Sequence, residues 1–165
     1  MIEVVDYDPS WPRQFQALAA RARTALGSRV LRIDHVGSTA VAGLAAKPII
    51  DLDVLVQSTA VDAAIRTLAD LGYAHEGDLG IVGREAFRSP IGEARHHLYL
   101  MTEGHPEWRR HLRFRDALRA DPPLREAYAR LKHTLAAQYG DDRTAYSHGK
   151  SDFIRAALES MSSGI

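Results

Sequence analysis

The sequence predicts an α+β domain in which a small mixed β-sheet is flanked by helices and the C-terminal third is helical. Three observations carry this reading. Ile49 to Val56 is a short aliphatic and β-branched run, better suited to a buried strand than to a helix. Thr59 to Leu71 places Val61, Ala64, Ile65 and Leu68 at helical spacing and is closed by Gly72. From Pro106 onward, three successive stretches keep near-helical spacing, separated by Asp121-Pro-Pro and by Gly140.

Taken in order, Ile2 to Tyr7 reads as a short strand or extended arm. A turn over Asp8 to Pro12 leads into a helix with Ser10 as N-cap and Pro12 in the first turn. Phe15, Leu18, Ala19, Ala22 and Leu26 recur at helical spacing, and Gly27 ends the helix. Trp11 reads as a packing residue. Arg29 to Val36 is the next strand and delivers Gly37-Ser38. After the 59–71 helix the chain passes into an extended Gly72 to His75. Gly77 to Gly83 is rich in glycine but lacks the strand and helix context of a dinucleotide loop, so it reads as a loop or hairpin connection. Gly83 to Arg88 and Arg95 to Met101 are two further strands joined by a turn at Pro90-Ile-Gly92. The C-terminal helices run over Pro106 to Ala120, Leu124 to Tyr139 and Asp142 to Met161. The first carries Trp108, Leu112, Phe114 or Arg115, and Leu118.

Composition sets the outer bounds. The 165 residues form one domain, long enough to bury roughly two-thirds of the unfolded surface. Lys+Arg and Asp+Glu are both 21, so no global field draws the chain to nucleic acid or to an anionic membrane. The absence of cysteine excludes disulfides and thiolate zinc sites and fits a cytoplasmic setting. No signal-peptide core and no apolar run of about 18 residues is present, which argues against secretion and membrane insertion.

The chemistry is concentrated between Ile33 and Val56. Alternation along a strand puts Asp51, Asp53 and Leu55 on one face and Ile50, Leu52, Val54 and Val56 on the other. Two adjacent carboxylates repel each other and are costly to desolvate, and a divalent cation (Mg²⁺ or Mn²⁺) removes that cost. Upstream, Gly37 allows a tight turn, and the following amides with the Ser38 hydroxyl could hold a phosphate, more so if a helix begins at Thr39. A phosphate binder followed by a strand with two metal-binding aspartates is the arrangement a nucleotidyl-transfer site requires. Lys47, just before that strand, could neutralise phosphate charge, with Arg84 and Arg88 as further candidates. Glu85 could serve as a base or as an arginine partner. In the 95–101 strand His97 and Tyr99 share a face. His97 reads as a metal ligand, a general base near neutral pH, or a structural histidine. From the helical third, Arg109, Arg113 and Lys150 could face the sheet and grip a triphosphate.

The stretch His35-Val-Gly-Ser-Thr-Ala-Val-Ala-Gly-Leu-Ala-Ala-Lys-Pro-Ile-Ile-Asp-Leu-Asp resembles the signature of the GrpB-like (UPF0157) family, a branch of the DNA polymerase beta-like nucleotidyltransferase superfamily. The resemblance continues through Gly83 to Arg88, His96 to Leu100, Glu107 to Asp116 and Tyr146 to Ile154, nearly the whole chain. The family also occurs as a domain of some bacterial dephospho-CoA kinases. The resemblance implies a polymerase beta-like fold and metal-dependent transfer of a nucleoside monophosphate from a nucleoside triphosphate such as ATP to an acceptor hydroxyl, amine or phosphate. It also exposes a departure: enzymes of that superfamily usually carry a third carboxylate on the strand beside the Asp-x-Asp strand, and this sequence has His97 and Tyr99 there.

Rival readings are a non-catalytic nucleotide-binding or regulatory module that kept the fold, and an RNA-binding accessory domain. Neutral net charge and the lack of interleaved basic and aromatic stripes speak against the latter. Five of the eight histidines lie between His96 and His133, yet no His-x-His or His-x₃-His pair on one helix face supports zinc. No Gly-x-Ser-x-Gly elbow surrounds Ser38, which argues against a Ser-His-Asp hydrolase.

Overall fold

A computed structural model describes residues 1–163. Helix α1 (Trp11–Leu26) leads into strand β1 (Val30–Val36), and β2 (Ile50–Val56) follows after a loop. Helix α2 (Val61–Asp70) precedes the short β3 (Ala74–His75), β4 (Glu85–Arg88) and β5 (His96–Thr102). Helices α3 (Pro106–Ala120), α4 (Pro122–Tyr139) and α5 (Arg143–Ser162) complete the chain. The sheet order is β1-β2-β5-β4-β3, with β2 and β5 parallel and every other neighbour antiparallel. The mixed sheet, its helices and the helical C-terminal part agree with the fold class the sequence predicts.

The strand alternation explains the layering. Leu52 and Val54 of β2, Leu98 and Leu100 of β5 and Phe87 of β4 are buried together against Trp11, Ala19, Ala22 and Leu26 of α1 and Ala64 and Leu68 of α2. Each fully buried aliphatic side chain contributes about 1.5–3 kcal/mol, so this face holds the sheet to its two helices. Trp11 is 2% exposed, a packing residue as its sequence context indicates. On the opposite face a smaller cluster of Val41, Leu44, Leu118 and Tyr128 ties the β1–β2 loop to α3 and α4. The C-terminal helices are thereby fixed over the polar face of the sheet.

Several local expectations change. No α-helix begins at Thr39: Ser38–Ala40 form a single 3₁₀ turn, too short to build a helix dipole. Ser10 directly precedes α1, but its side chain makes no capping bond. Its Oγ instead accepts from Gln14 Nε2 at 2.9 Å, while Asp8 accepts from the Ser10 amide at 2.8 Å. Asp121-Pro-Pro does more than end α3. Asp121 also caps α4 by accepting from the Leu124 amide at 3.1 Å, so α4 starts two residues earlier than its apolar pattern. Glu85 pairs with a histidine in place of an arginine, its carboxylate meeting His75 Nε2 at 2.6 Å.

Gly149 of α5 packs directly against Leu135 of α4. A Cβ there would lie 2.6 Å from Leu135 Cδ2. Alanine improves helix propensity by about 1 kcal/mol. The clash outweighs that gain, because overfilling a packed interface costs about 1–3 kcal/mol. Gly149→Ala is therefore expected to lower stability by about 1 kcal/mol net in urea unfolding, and a stabilised variant would contradict this packing.

Candidate active site

The polar face of the sheet gathers the residues singled out by sequence. Register aligns Asp34 with Asp53 across β1 and β2, Asp51 with His97, and Asp53 with Tyr99 across β2 and β5. Directly paired residues share a face, so three acids, an imidazole and a phenol stand together.

Gly37 shapes the entry to this face. Its φ of 74° and ψ of −175° belong to a region that essentially only glycine occupies, and a Cβ on it would overlap Asp51 Oδ2. The chain thus turns directly over the carboxylate. His35 anchors the turn from the core side, its Nε2 bonded to Thr39 Oγ1 at 2.9 Å and its ring stacked on Phe15 at 4.6 Å. Burial pushes the His35 pKa down to about 4, which leaves the ring neutral and structural.

His97 Nδ1 donates to Asp51 Oδ1 at 3.0 Å, which leaves Nε2 as the free ring nitrogen. This places His97 beside Asp51 as an orienting partner. Its neighbour His96 is spent on the core: Nδ1 donates to the Ala94 carbonyl and Nε2 accepts from the Tyr73 hydroxyl, both at 2.8 Å.

Asp53 is fully buried, and α3 supplies its partner. His111 Nδ1 donates to Asp53 Oδ2 at 2.7 Å, and its Nε2 donates to Glu107 Oε1 at 3.0 Å. Burial opposes charge on His111, yet these two carboxylate bonds overcome it and raise the pKa to about 9. The ring is therefore an imidazolium clasped between two acids. Burial shifts Asp53 upward, against the bond from His111, while the bond to His111 lowers Glu107. Asp53 Oδ1 is buried without a hydrogen-bond partner. Asp34 is satisfied separately, by Arg32 at 2.7 and 2.9 Å and by Trp108 Nε1 at 2.8 Å.

These details test a divalent cation against the donors present. Asp51 Oδ2 and the orphaned Asp53 Oδ1 are two hard oxygen donors on one strand face, the minimum by which Mg²⁺ is held when substrate phosphates complete its shell. Among the described residues no group of three acidic or histidine side chains is arranged to hold a metal ion. A cation shared with a ligand would rest on Asp51, which lines both cavities, with the buried Asp53 Oδ1 behind it as a second donor.

Two cavities open around Asp51. One, of about 260 Å³, is lined by Ser38, Thr39, Lys47, His97 and Tyr146 together with Lys132 and Lys150. The chain has three lysines against eighteen arginines, and all three lysines are in this cavity. None of them forms an ion pair among the described residues. Lys47 and Lys150 lie over the Tyr146 ring at 4.9 and 4.6 Å, and Lys132 donates to the Ala45 carbonyl. Burial, reinforced by neighbouring cations, lowers all three, Lys150 to about 8 and Lys132 to about 7. The second cavity, about 240 Å³, lies between the Gly37 turn and α3 and shares Ser38, Asp51, Tyr99 and Lys150 with the first.

The remaining candidates divide. Arg84 is 8% exposed, stacks on Tyr99 at 5.0 Å and donates to the Asp78 carbonyl at 3.1 Å. Arg88 is exposed at the end of β4, in register with His97. Neither lines the two cavities. The arginines expected to face the sheet are corrected: Arg113 bonds Ser162 and Arg109 packs near Gly104, whereas Arg110 and Arg115 line the second cavity. The phase of α3 is the reason, since Glu107, His111 and Arg115 lie four residues apart on the inward face. Sequence reasoning missed His111, Glu107 and Lys132. The i, i+4 acid–histidine pair on α3 was the one available signal.

A crystal structure of GrpB from Enterococcus faecalis superposes with a TM-score of 0.85 at 32% identity, covering 96% of this chain and 99% of that one. Cid1 poly(U) polymerase superposes with a TM-score of 0.58 at 16% identity over 88% of this chain and 49% of that one, so the fold is that of polymerase beta-like nucleotidyltransferases. A UPF0157 protein of Pseudomonas aeruginosa is 41% identical over 163 residues, 95% of this chain and 66% of that protein. A dephospho-CoA kinase of Mycolicibacterium paratuberculosis is 31% identical over 182 residues, 94% of this chain and 45% of that protein. The chain spans less than half of the UPF0157 relative from Bacillus subtilis, 46% of its length, at 37% identity. The glutamate-rich protein GrpB of Alkalihalophilus pseudofirmus is matched over 94% of its length at 32% identity. The GrpB protein family model matches residues 1–160, and by that match and these relatives the chain belongs to the GrpB family.

Proposed function

We propose that the protein transfers a nucleoside monophosphate from a nucleoside triphosphate to an acceptor, with one divalent cation on Asp51 and Asp53. The observation that carries this is the convergence of the Gly37-Ser38 turn and all three lysines on Asp51. Three lysine amines without carboxylate partners suit a ligand with several negative charges, which would favour their protonated form, and a phosphate chain is that ligand. Two structures of Cid1 are described as Mg 3′-dATP bound and MgGTP bound, and the shared fold supports the same ligand class here.

In this reading Lys47, Lys132 and Lys150 hold the β- and γ-phosphates, and the Gly37-Ser38 turn holds the phosphate nearest Asp51. The cation, when bound, neutralises charge developing on the transferred phosphoryl group. His97 keeps Asp51 oriented through its Nδ1 bond. Arg84, stacked on Tyr99, supports the wall behind Asp51 and Asp53.

A second reading, nucleotide binding without turnover, is favoured by one specific contact. His111 already engages Asp53 Oδ2, which leaves Asp53 a single oxygen for a cation.

Thermal unfolding with each of the four nucleoside triphosphates, with and without Mg²⁺, tests the proposal. A ligand at a hundred times its Kd stabilises by about 2.7 kcal/mol, a Tm rise of about 5–10 °C for a chain of this size. The rise is expected to need both Mg²⁺ and a triphosphate and to vanish in Asp51→Asn and Asp53→Asn. Pyrophosphate release then separates the readings, because binding without release favours the module. No shift with any triphosphate would overturn both.

A further inference from the structure

The cavity between α3 and the Gly37 turn differs in chemistry from the lysine cavity. Its walls carry Phe114, Leu118 and Ile154, and its charged lining consists of Arg110, His111, Arg115 and Lys150 against Asp51 alone. Arg115 is tied down, donating to the His35 carbonyl at 3.1 Å and to Asp116 at 2.9 Å. Arg110 is freer. It is held by a 3.3 Å bond to Glu107 Oε1, an oxygen it shares with His111.

Phosphoryl-type transfer requires the attacking and leaving oxygens to lie roughly in line through phosphorus. If pyrophosphate departs into the lysine cavity, the bond that changes lies at the residues common to both cavities: Ser38, Asp51, Tyr99 and Lys150. The attacking group must approach from across that bond, and the cavity under α3 is the second opening onto these shared residues.

We propose that this cavity is the acceptor subsite and that it takes a small molecule with an acidic group read by Arg110, an apolar body packed on Phe114 and Ile154, and a hydroxyl directed at Asp51. This rests on the nucleotidyl-transfer reading above. The acceptor oxygen forms a bond to the α-phosphorus as the bond from that phosphorus to the bridging oxygen breaks. Pyrophosphate leaves with the electron pair, and the hydroxyl proton passes to water. About 240 Å³ is below the usual range for ligand pockets of about 300–1,000 Å³, which suits a compact molecule. A nucleic-acid strand would instead need a basic track with stacking aromatics along several nucleotides.

The probe is 4-(hydroxymethyl)benzoate, with 4-methylbenzyl alcohol as its neutral counterpart, followed by ligand-observed NMR and by pyrophosphate release with Mg²⁺ and a triphosphate. The acid is expected to bind, to keep its affinity in Lys47→Met and in saturating tripolyphosphate, and to lose about tenfold or more in Arg110→Met. It should also stimulate pyrophosphate release in the wild type. Displacement by tripolyphosphate, equal affinity in Arg110→Met, or equal binding of the neutral alcohol would overturn the assignment. So would stimulation by an oligonucleotide 3′ end in place of the acid. Arg110-dependent binding in a protein that no triphosphate stabilises would overturn the donor reading and the acceptor role with it, leaving an anion site of a different purpose.

Discussion

Replacing His111 with leucine is expected to destabilise the metal-free protein by about 3–5 kcal/mol, the cost of removing one partner from a buried charged cluster. Asp53 is fully buried, its side chain 0% exposed, and would be left without a partner, whereas Glu107, at 14% exposed, keeps Arg110. The pH dependence identifies the cause. His111 has a folded pKa of about 9, raised from an ordinary 6.5. Its charge therefore stabilises the fold fully below pH 6.5, and the contribution is lost as pH rises through about 9. Lys132 and Lys150, lowered to about 7 and 8, act in the opposite direction over part of that range. The informative quantity is thus the gap in urea stability between wild type and His111→Leu. It should narrow steadily from pH 6.5 to 9. A constant gap would mean that the ring contributes packing alone.

Gly37→Ala is expected to act on stability and site together. The backbone conformation at Gly37 costs any other residue about 1–3 kcal/mol, and the added methyl would drive the Asp51 carboxylate out of position. Urea unfolding should register the first effect. The second should appear as loss of the Mg²⁺-dependent rise in melting temperature with triphosphate, even in a variant that remains folded at the assay temperature. Retention of wild-type stability would mean that the turn relaxes without cost, and the close approach to Asp51 would then have no role in shaping the site.

What the sequence makes legible follows from periodicity. A period of two fixed the facing of Asp51 and Asp53 and of His97 and Tyr99, and the observed register agrees. Helical spacing located α1, α2 and the three C-terminal helices to within a few residues. Helix phase on α3 was hard to read, because Arg109, Arg110, Arg113, Arg115 and Arg119 occupy all but about 140° of its circumference and the apolar residues Trp108, Leu112, Phe114 and Leu118 are spread over more than one face. With no clear apolar stripe, nothing in the spacing selected Glu107, His111 and Arg115 over Arg109 and Arg113. Lys132 was hidden for a related reason: a lysine among alternating polar and apolar helix positions reads as solvent-facing, yet it is 2% exposed. Its burial depends on the loop carrying Ala45, which meets α4 only in three dimensions.

The confinement of lysine to one cavity also decides how the protein can be handled and labelled. Every side-chain amine in the chain belongs to Lys47, Lys132 or Lys150, so, the N-terminal amine apart, an acylating reagent counts occupancy of a single site in one mass spectrum. A bound phosphate chain would shield Lys47 and Lys150, Lys132 being already buried, and their unmodified fraction would report its affinity without any assay of turnover. By the same token, immobilising the protein on a sensor through its lysines would fasten it by the inside of that cavity and erase the binding such a sensor is meant to measure.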